Sequence, residues 1–589
     1  MNTAAIYHIS DGRYCYPLDS DHLCIKLQTG RNITDVELVW GDPFSAGIFG
    51  SETDWDGEHI PMKNTACLSQ HKIWQAVVEP EFKRCRYFFI IKTTSEKLYY
   101  IESGFQTEDE FNSYKGRRQD FYFPWMNESD IIKPAEWVNG TVWYQIFPDR
   151  FCSSGKNTSA KTRKWAAPDK KVNNGQSYGG DLEGVMSRLD YLKELGIGGI
   201  YFTPINESGS NHKYDTTDYN KIDPSFGDNN SIKQLVKCAH DRGIKVMLDG
   251  VFNHSGVQFA PWLDVLEKGR ESKYFDWFMI NKYPFSKRIG KAARGEYYSF
   301  AFVDVMPKLN TNNDEVINYF IDVCSRWVTE YGIDALRLDV ANEVSHKFNK
   351  RLRSAMLKLK PDFYIVGEIW HNSAAWLRGD EYDAVMNYSL QETIESFWRN
   401  STITAEQFKY GIYQCYERYA KQTCDVMFNL LDSHDTMRLI TRCGDDEDAF
   451  YQELCTLFTL NGTVCIYYGT EIALQGGHDP DCRRCMPWTK IDNGDYDDKI
   501  AEMKCLIDMR KSIPELRNGD LQFVNSGYNR IVIYDKSSDS NVYRVILNVS
   551  NTDYKIDDIE SGEVVYSRKL EGNVLRSGGA AVISRNAAL

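Results

Sequence analysis

The sequence predicts an α/β protein: a (β/α)8 TIM barrel with an inserted subdomain, preceded by one β-sandwich and followed by another. Three observations predict it. Between about residues 141 and 512, short apolar strands alternate with helical patterns, which is the rhythm of a parallel sheet. Eight strand candidates fall in that stretch, near 142–147, 198–203, 244–249, 333–339, 364–368, 383–387, 426–431 and 464–468. On either side the pattern changes to short alternating strands separated by turn residues.

Taken in order, HLCIKLQ (22–28), DVELVWG (35–41), IWQAVVE (73–79) and RYFFIIK (86–92) read as strands of a sandwich over residues 1–125. The linker FPWMNESDIIKPAEW (123–137) follows, and the barrel occupies 137–512. One βα unit shows the design: Ile232, Leu235, Val236 and Ala239 share a helical face, Gly243 stops the helix, and IKVMLD (244–249) is the next strand. A second places Val316, Tyr319, Phe320, Val323 and Trp327 on one face, stops at Gly332, and continues into IDALRLD (333–339). A third runs through Phe348, Leu352, Met356 and Leu359 to Pro361, then FYIVGE (363–368). The gap between the third and fourth strands is far longer than the others, which predicts a subdomain inserted at about 255–310. Beyond 513, RIVIYD (530–535) and VYRVILN (542–548) begin the C-terminal sandwich, 513–589.

Composition narrows the function. A chain of 589 residues that is 42% hydrophobic exceeds one compact core, so a central domain with appended modules is expected. Its first residues, MNTAAIYHISDGRYCY, lack a basic stretch followed by an apolar one, and no apolar run approaches 18 residues, so a soluble, unexported protein is expected. Fifteen cysteines, an odd number, are scattered through apolar stretches, as at Cys238, Cys324, Cys455 and Cys465. Reduced thiols and a cytoplasmic location fit that pattern. A net charge of −14 argues against nucleic acid or an anionic membrane as partner and leaves a neutral substrate.

Catalytic groups of a TIM barrel sit at the C-terminal ends of its strands, and here those ends carry Asp249, Asp339, Glu368 and Asp435. Any one of the 83 acidic residues is by itself ordinary solvated surface, but four at matching positions are not. Cleaving a glycosidic bond with retention takes one ionised carboxylate as nucleophile and one protonated carboxyl as acid, roughly 5–5.5 Å apart. Arg337 and Asp339, two apart on a strand, point to one face, so the guanidinium is expected to keep Asp339 ionised. Glu368, between apolar Val366 and Ile369, is expected to have the raised pKa of an acid.

The strings LDGVFNH (248–254), GIDALRLDVANEV (332–344), VGEIWH (366–371) and LLDSHDT (430–436) resemble the four signature regions of the α-amylase family, glycoside hydrolase family 13. MPKLN (306–310), ANE after Asp339, WLRGDEYDAVMNY (376–388) and the N-terminal stretch are similar to the neopullulanase, cyclomaltodextrinase and maltogenic amylase subfamily, with its N-terminal starch-binding-type module. The resemblance implies Asp339 as nucleophile, Glu368 as acid/base and Asp435 as the third carboxylate, which grips sugar hydroxyls. It further implies that His254, His434 and Tyr214 hold the same sugar, Tyr214 by stacking, and that Asp249 orients Arg337. Asp479 and Arg483 match a pair that holds more distant glucose units, and Glu343 matches an acceptor-side residue. A homodimer with an α-glucan substrate is expected on the same ground.

Two departures stand out. Ala335-Leu336 replaces the Gly-Trp of many relatives. In FCSSGKNTS (151–159), Ser153, Gly155, Thr158 and Ser159 stand where calcium-binding relatives carry ligands, leaving chiefly Gly179 and Asp181. Calcium takes six to eight oxygens, so no bound metal and no cofactor is expected, with Asp181 the main remaining candidate ligand. Cys482-x-x-Cys485 reads as two reduced thiols, since a lone pair is no zinc site. The expected activity is thus a retaining hydrolase of α-1,4 links in cyclodextrins, maltooligosaccharides, pullulan or starch, with some transglycosylation. The alternatives are a 4-α-glucanotransferase, which shares the covalent intermediate, and a catalytically silent glucan-binding protein, which the complete carboxylate trio disfavours.

Overall fold

The computed structural model of the protein describes residues 1–47, 55–113, 118–157, 162–285, 295–557 and 562–586. The chain divides into two compact units, one made of 1–133 with 402–424 and 522–529, the other of 134–401, 425–521 and 530 onward.

The centre of the second unit is a sheet of eight parallel strands: β1 Val142–Ile146, β2 Gly199–Phe202, β3 Lys245–Gly250, β4 Ala335–Leu338, β5 Tyr364–Gly367, β6 Ala384–Val385, β7 Phe428–Leu430 and β8 Thr463–Tyr467. They pair in the order β6-β5-β4-β3-β2-β1-β8-β7, and a parallel bridge from Met386 to Phe428 joins the two ends. The sheet is therefore a closed barrel, as predicted. Apart from Lys245, every residue in these strands is buried, which is why they read as apolar runs rather than alternating ones.

Local chemistry sets the helices between them. Asn229–His240 begins in a capping box, with Asp228 accepting from the backbone of Asn230 and Ser231, and it buries Ile232, Leu235, Val236 and Ala239 as expected. Asp314–Arg326 is capped by Asn313, widens into a π turn at Trp327–Tyr331, and stops at Gly332, whose φ of 83° suits glycine. The helix His346–Leu359 buries Phe348, Leu352 and Met356, whereas Leu359 is 45% exposed: the apolar stripe ends one turn before the helix does.

Between β3 and β4 the chain forms the helix Ala260–Lys268 and single bridges that pair Phe278 with Leu309, Ile280 with Tyr297 and Ser299 with Pro307. A further bridge, His254 to Lys308, lays the MPKLN segment against the chain leaving β3. Residues 286–294 of the expected insertion lie outside the described residues. The C-terminal strands Ile531–Ser537, Asn541–Asn548, Tyr554–Lys555, Gly562–Glu571 and Val574–Asn586 belong to one antiparallel sheet. Gln452, on the buried helix Glu447–Thr459, donates to the carbonyls of Asn548 and Gly579 in that sheet, 2.9 Å each.

The first unit holds two antiparallel sheets. One runs Cys15–Pro17, Leu23–Gly30, His71–Val78, Lys63–Cys67; the other runs Glu58–Pro61, Asp35–Gly41, Cys85–Lys92, Lys97–Ile101, Gly104–Gln106, with Phe121–Phe123 also on Cys85–Lys92. Leu23, Ile25, Leu27, Val36, Leu38, Phe89 and Ile91 meet in a common core, the period-2 signature of strands packed on one face. Lys26 pairs with Glu417 at 2.9 Å, which ties the segment 402–424 to these strands.

At the start of β4, Asp334 is fully buried and accepts from Val246 N at 2.9 Å, His240 Nε2 at 2.7 Å, Lys360 Nζ at 2.6 Å and Lys245 Nζ at 3.2 Å. Burial opposes its ionisation, but these donors outweigh burial and hold its carboxyl well below the usual range. A depressed pKa stabilises the fold above the unfolded value of about 4, and that stabilisation fades as the pH falls. Asp334→Asn should therefore lower stability at pH 7 by about 2 kcal/mol, as expected when charged hydrogen bonds are lost. In urea titrations the gap from wild type should narrow below pH of about 4; a gap independent of pH would refute the role of the charge.

Candidate active site

The ends of β3, β4, β5 and β7 deliver the residues singled out from the sequence. Asp249 lies in β3 beside Arg337 in β4, in register, and Asp339 follows β4 by one residue. Glu368 follows β5, and His434 and Asp435 lie in the turn after β7.

Arg337, fully buried, is the hub. Its Nη1 lies 2.9 Å from both oxygens of Asp249 and from Asp339 Oδ1, and its Nη2 lies 2.9 Å from Glu368 Oε2. Asp249 also accepts from Tyr201 Oη at 2.8 Å and Tyr214 Oη at 3.0 Å, so all its capacity goes to holding neighbours in place. Beside this ion pair, Glu368 accepts from two donors, Val340 N at 2.9 Å and Trp370 Nε1 at 3.2 Å.

The expected electrostatics of Asp339 is corrected here. Burial, joined by the charges of Glu368 and Asp249, pushes its carboxyl well above the usual range, and Arg337 does not offset this because it is shared among three carboxylates. Burial in the substrate-free site therefore favours the protonated form of Asp339, opposite in direction to the ionised group that the sequence reading expects.

Asp435 behaves oppositely. Burial works against its charge, but His434, 3.0 Å away, and Arg483, 3.3 Å away, prevail and hold it below the usual carboxylate range. Arg483 also pairs with Asp479 at 2.9 Å and donates from Nε to the carbonyl of His434, 2.9 Å. Tyr214 stacks on His434, with ring centroids 5.5 Å apart and planes 9° apart. His254 is buried, its pKa pushed down to about 3 by desolvation, and its Nε2 has no hydrogen-bond partner. His254 lines the cavity, and its covered Nε2 is a buried nitrogen with unused hydrogen-bonding capacity.

That cavity, about 450 Å³, is lined by Tyr214, His254, Asp339, Glu343, Glu368, Asp435, Asp479 and Arg483 from the predicted set. Arg337, Asp249 and His434 stand behind this lining and act through it. Sequence reasoning missed other walls: His212, Phe300, Met306, Asn342 and Trp370. Trp370 stacks on Tyr388 at 3.6 Å, and Phe300 stacks on His254 at 5.0 Å. Trp370 stood within VGEIWH and was there to be seen, whereas Phe300 lies in an irregular segment with no periodicity to flag it. Lys308 was quoted in MPKLN without a role; its ammonium pairs with Glu343 Oε2 at 2.9 Å and bonds Asn253 Oδ1.

Comparison with known proteins gives this geometry its family. Residues 145–503 match the family described as "Alpha amylase, catalytic domain", and residues 1–127 match "Alpha amylase, N-terminal ig-like domain". The chain belongs to the alpha-amylase family. Within it, the chain is 43% identical to a cyclomaltodextrinase of Geobacillus thermopakistaniensis over 559 residues, covering 94% of this chain and 92% of that one. It is 40% identical to an intracellular maltogenic amylase of Bacillus subtilis, with 94% and 92% covered. A solved cyclomaltodextrinase structure superposes with a TM-score of 0.89 at 35% identity, covering 99% of this chain and all of that one. The protein is a glycoside hydrolase of the alpha-amylase family.

The family resemblance also directs attention to a calcium loop. Thr158 and Ser159 lie outside the described residues. Asp181 accepts from Gly184 N at 2.6 Å, Ser154 Oγ at 2.6 Å, Ser154 N at 3.2 Å and Asn157 Nδ2 at 3.2 Å, and it caps the helix Leu182–Met186. A carboxylate has about four acceptor positions, and four protein donors take them, so these residues do not fit a calcium ion. Among the described residues no three His, Cys, Asp or Glu side chains converge on a common metal position. Cys482 and Cys485 are buried free thiols, and Cys482 donates to the carbonyl of His434.

Asp181→Ala should cost about 1–2 kcal/mol, the usual loss for a helix cap. Exhaustive chelation of the wild type should leave its Tm in place. A Tm that drops on adding chelator and recovers with calcium would contradict this account of Asp181.

Proposed function

We propose that the chain is a retaining hydrolase of α-1,4-glucosidic bonds in cyclodextrins, maltooligosaccharides, pullulan or starch, working through a covalent glucosyl-enzyme intermediate with transglycosylation as a side path. The observation that carries this reading is that Asp339 and Glu368 contact one guanidinium and open into one cavity. Two carboxyls so tethered suit a double displacement, whereas an inverting enzyme spaces them about 6.5–9.5 Å apart to admit water. The names of the relatives support the choice of cyclodextrins and maltooligosaccharides.

In this mechanism an oxygen of ionised Asp339 attacks the anomeric carbon while Glu368 gives its proton to the departing glycosidic oxygen. Glu368 then takes a proton from water, or from a sugar hydroxyl, and that oxygen displaces Asp339. Burial moves Asp339 toward its protonated form in the empty site, so binding of substrate must favour its ionised form for the attack. Val340 N donates to Glu368 Oε2, which also lies 2.9 Å from the Arg337 guanidinium, so Oε1, approached by Trp370 Nε1 at 3.2 Å, is the oxygen suited to carry the proton. Asp435 with His434, and His254 with its free Nε2, grip the hydroxyls of the same sugar, and the Tyr214 ring supports its apolar face. Asp479 with Arg483 holds glucose units farther off, and Glu343, fixed by Lys308, faces the acceptor.

Asp339→Asn should reduce turnover on maltooligosaccharides at least a thousandfold, since an amide does not attack the anomeric carbon. Glu368→Gln should fail on the same substrates yet keep its glycosylation step on an aryl α-glucoside, whose leaving group departs unprotonated. Equal losses on both substrates would remove Glu368 from the acid role.

The chain works as a homodimer in the cytoplasm. The resemblance supports the dimer; the free state of all fifteen cysteines and the word "intracellular" in a relative's name support the location. Light scattering should return twice the chain mass of 68.0 kDa, and a monomer mass at working concentration rules the dimer out.

A further inference from the structure

Gln145, in β1, is 1% exposed, and its amide nitrogen lies 2.7 Å from His434 Nδ1. The other ring nitrogen, Nε2, lies 3.0 Å from Asp435 Oδ2 and 2.5 Å from Tyr214 Oη. Asp435 also pairs with Arg483 at 3.3 Å, and a carboxylate so paired only accepts, so the ring must carry a hydrogen on Nε2. In a neutral imidazole the lone pair then sits on Nδ1, and a donor is needed there. The amide of Gln145 is that donor.

We propose that Gln145 is a positioning residue that holds His434 as the neutral Nε2–H tautomer, so that the ring's single hydrogen is presented at Nε2, between Tyr214 and Asp435. The hydrogen bonds then run in one direction, from Gln145 to His434, from His434 to Tyr214, and from Tyr214 to Asp249, 3.0 Å, where Arg337 also donates. The orientation of the nucleophile's guanidinium and the tautomer of His434 are thereby linked across the barrel mouth. The charged and titratable groups facing the ring are Asp435, Tyr214, Asp249, His212, Asp479, Arg483 and Cys482. Gln145 meets Nδ1 without adding charge. A glutamate there would accept instead of donate, drawing a hydrogen to Nδ1 and converting the ring to imidazolium or, at higher pH, to the opposite tautomer.

The activity arm of the test rests on the hydrolase reading; the spectroscopic arm does not, so the two fail separately. In the wild-type protein labelled with ¹⁵N-histidine, with His434 assigned by its loss in His434→Gln, Nε2 should show the shift of a protonated nitrogen and Nδ1 that of a bare one. Protonated Nδ1 with bare Nε2 overturns the proposal, and this reading requires no substitution at position 145. Gln145→Leu should lower kcat/KM on a maltooligosaccharide about tenfold or more. Gln145→Glu should displace the alkaline limb of the kcat/KM profile from its wild-type position, because a carboxylate at Nδ1 accepts where the amide donates. Folded variants that keep the wild-type kcat/KM and profile shape also overturn it, since a merely structural residue would move Tm and leave the profile alone.

Discussion

A single buried guanidinium sets the electrostatics of this barrel's mouth. Arg337 has no exposed surface, and leaving such a charge unpaired costs several kcal/mol, so the surrounding strands must supply anions. They supply three, Asp249, Asp339 and Glu368, each at 2.9 Å. One cation shared among three buried carboxylates leaves Asp339 pushed toward its protonated form. The same contact that gathers the carboxylates therefore also leaves one of them short of ionisation. On the far side of the cavity the balance reverses, with Arg483 and His434 around Asp435, and that carboxylate stays charged.

The backbone at the strand ends is fixed tightly enough to bear strain. Val340, directly after Asp339, has φ 46° and ψ 44°, a left-handed conformation that costs a β-branched residue on the order of 1–3 kcal/mol. The turn aims its N–H at Glu368 Oε2, 2.9 Å. Ladder-like bonds on either side hold it there: Asp339 N to the carbonyl of Gly250 at 3.0 Å, and Glu368 N to that of Leu338 at 2.9 Å. Only a closed barrel gives neighbouring strand ends this rigidity. The inserted segment then adds to the rim, through Phe300 on His254 and Lys308 on Glu343.

Much of this was legible beforehand, for identifiable reasons. Strands buried on both faces leave unbroken apolar runs, and helices with one buried stripe leave a 3.6-residue rhythm, so the eight βα units could be read residue by residue. The cavity walls were half legible. Those next to a strand end, such as Asp339 and Glu368, sit where topology puts chemistry, but His212 and Phe300 come from irregular segments that carry no period.

The sequence by itself determined the order of elements and the carboxylates at the strand ends, because these follow from local periodicity and from motifs a few residues long. The tertiary structure alone decided which way burial moves the Asp339 carboxyl, which oxygens of Asp181 were already taken by neighbouring donors, and that Gln145 faces His434 across 289 residues of chain. The physical reason is the same in each case. Burial and hydrogen bonding depend on what else reaches the same few ångströms of space, and a linear sequence does not record that distance.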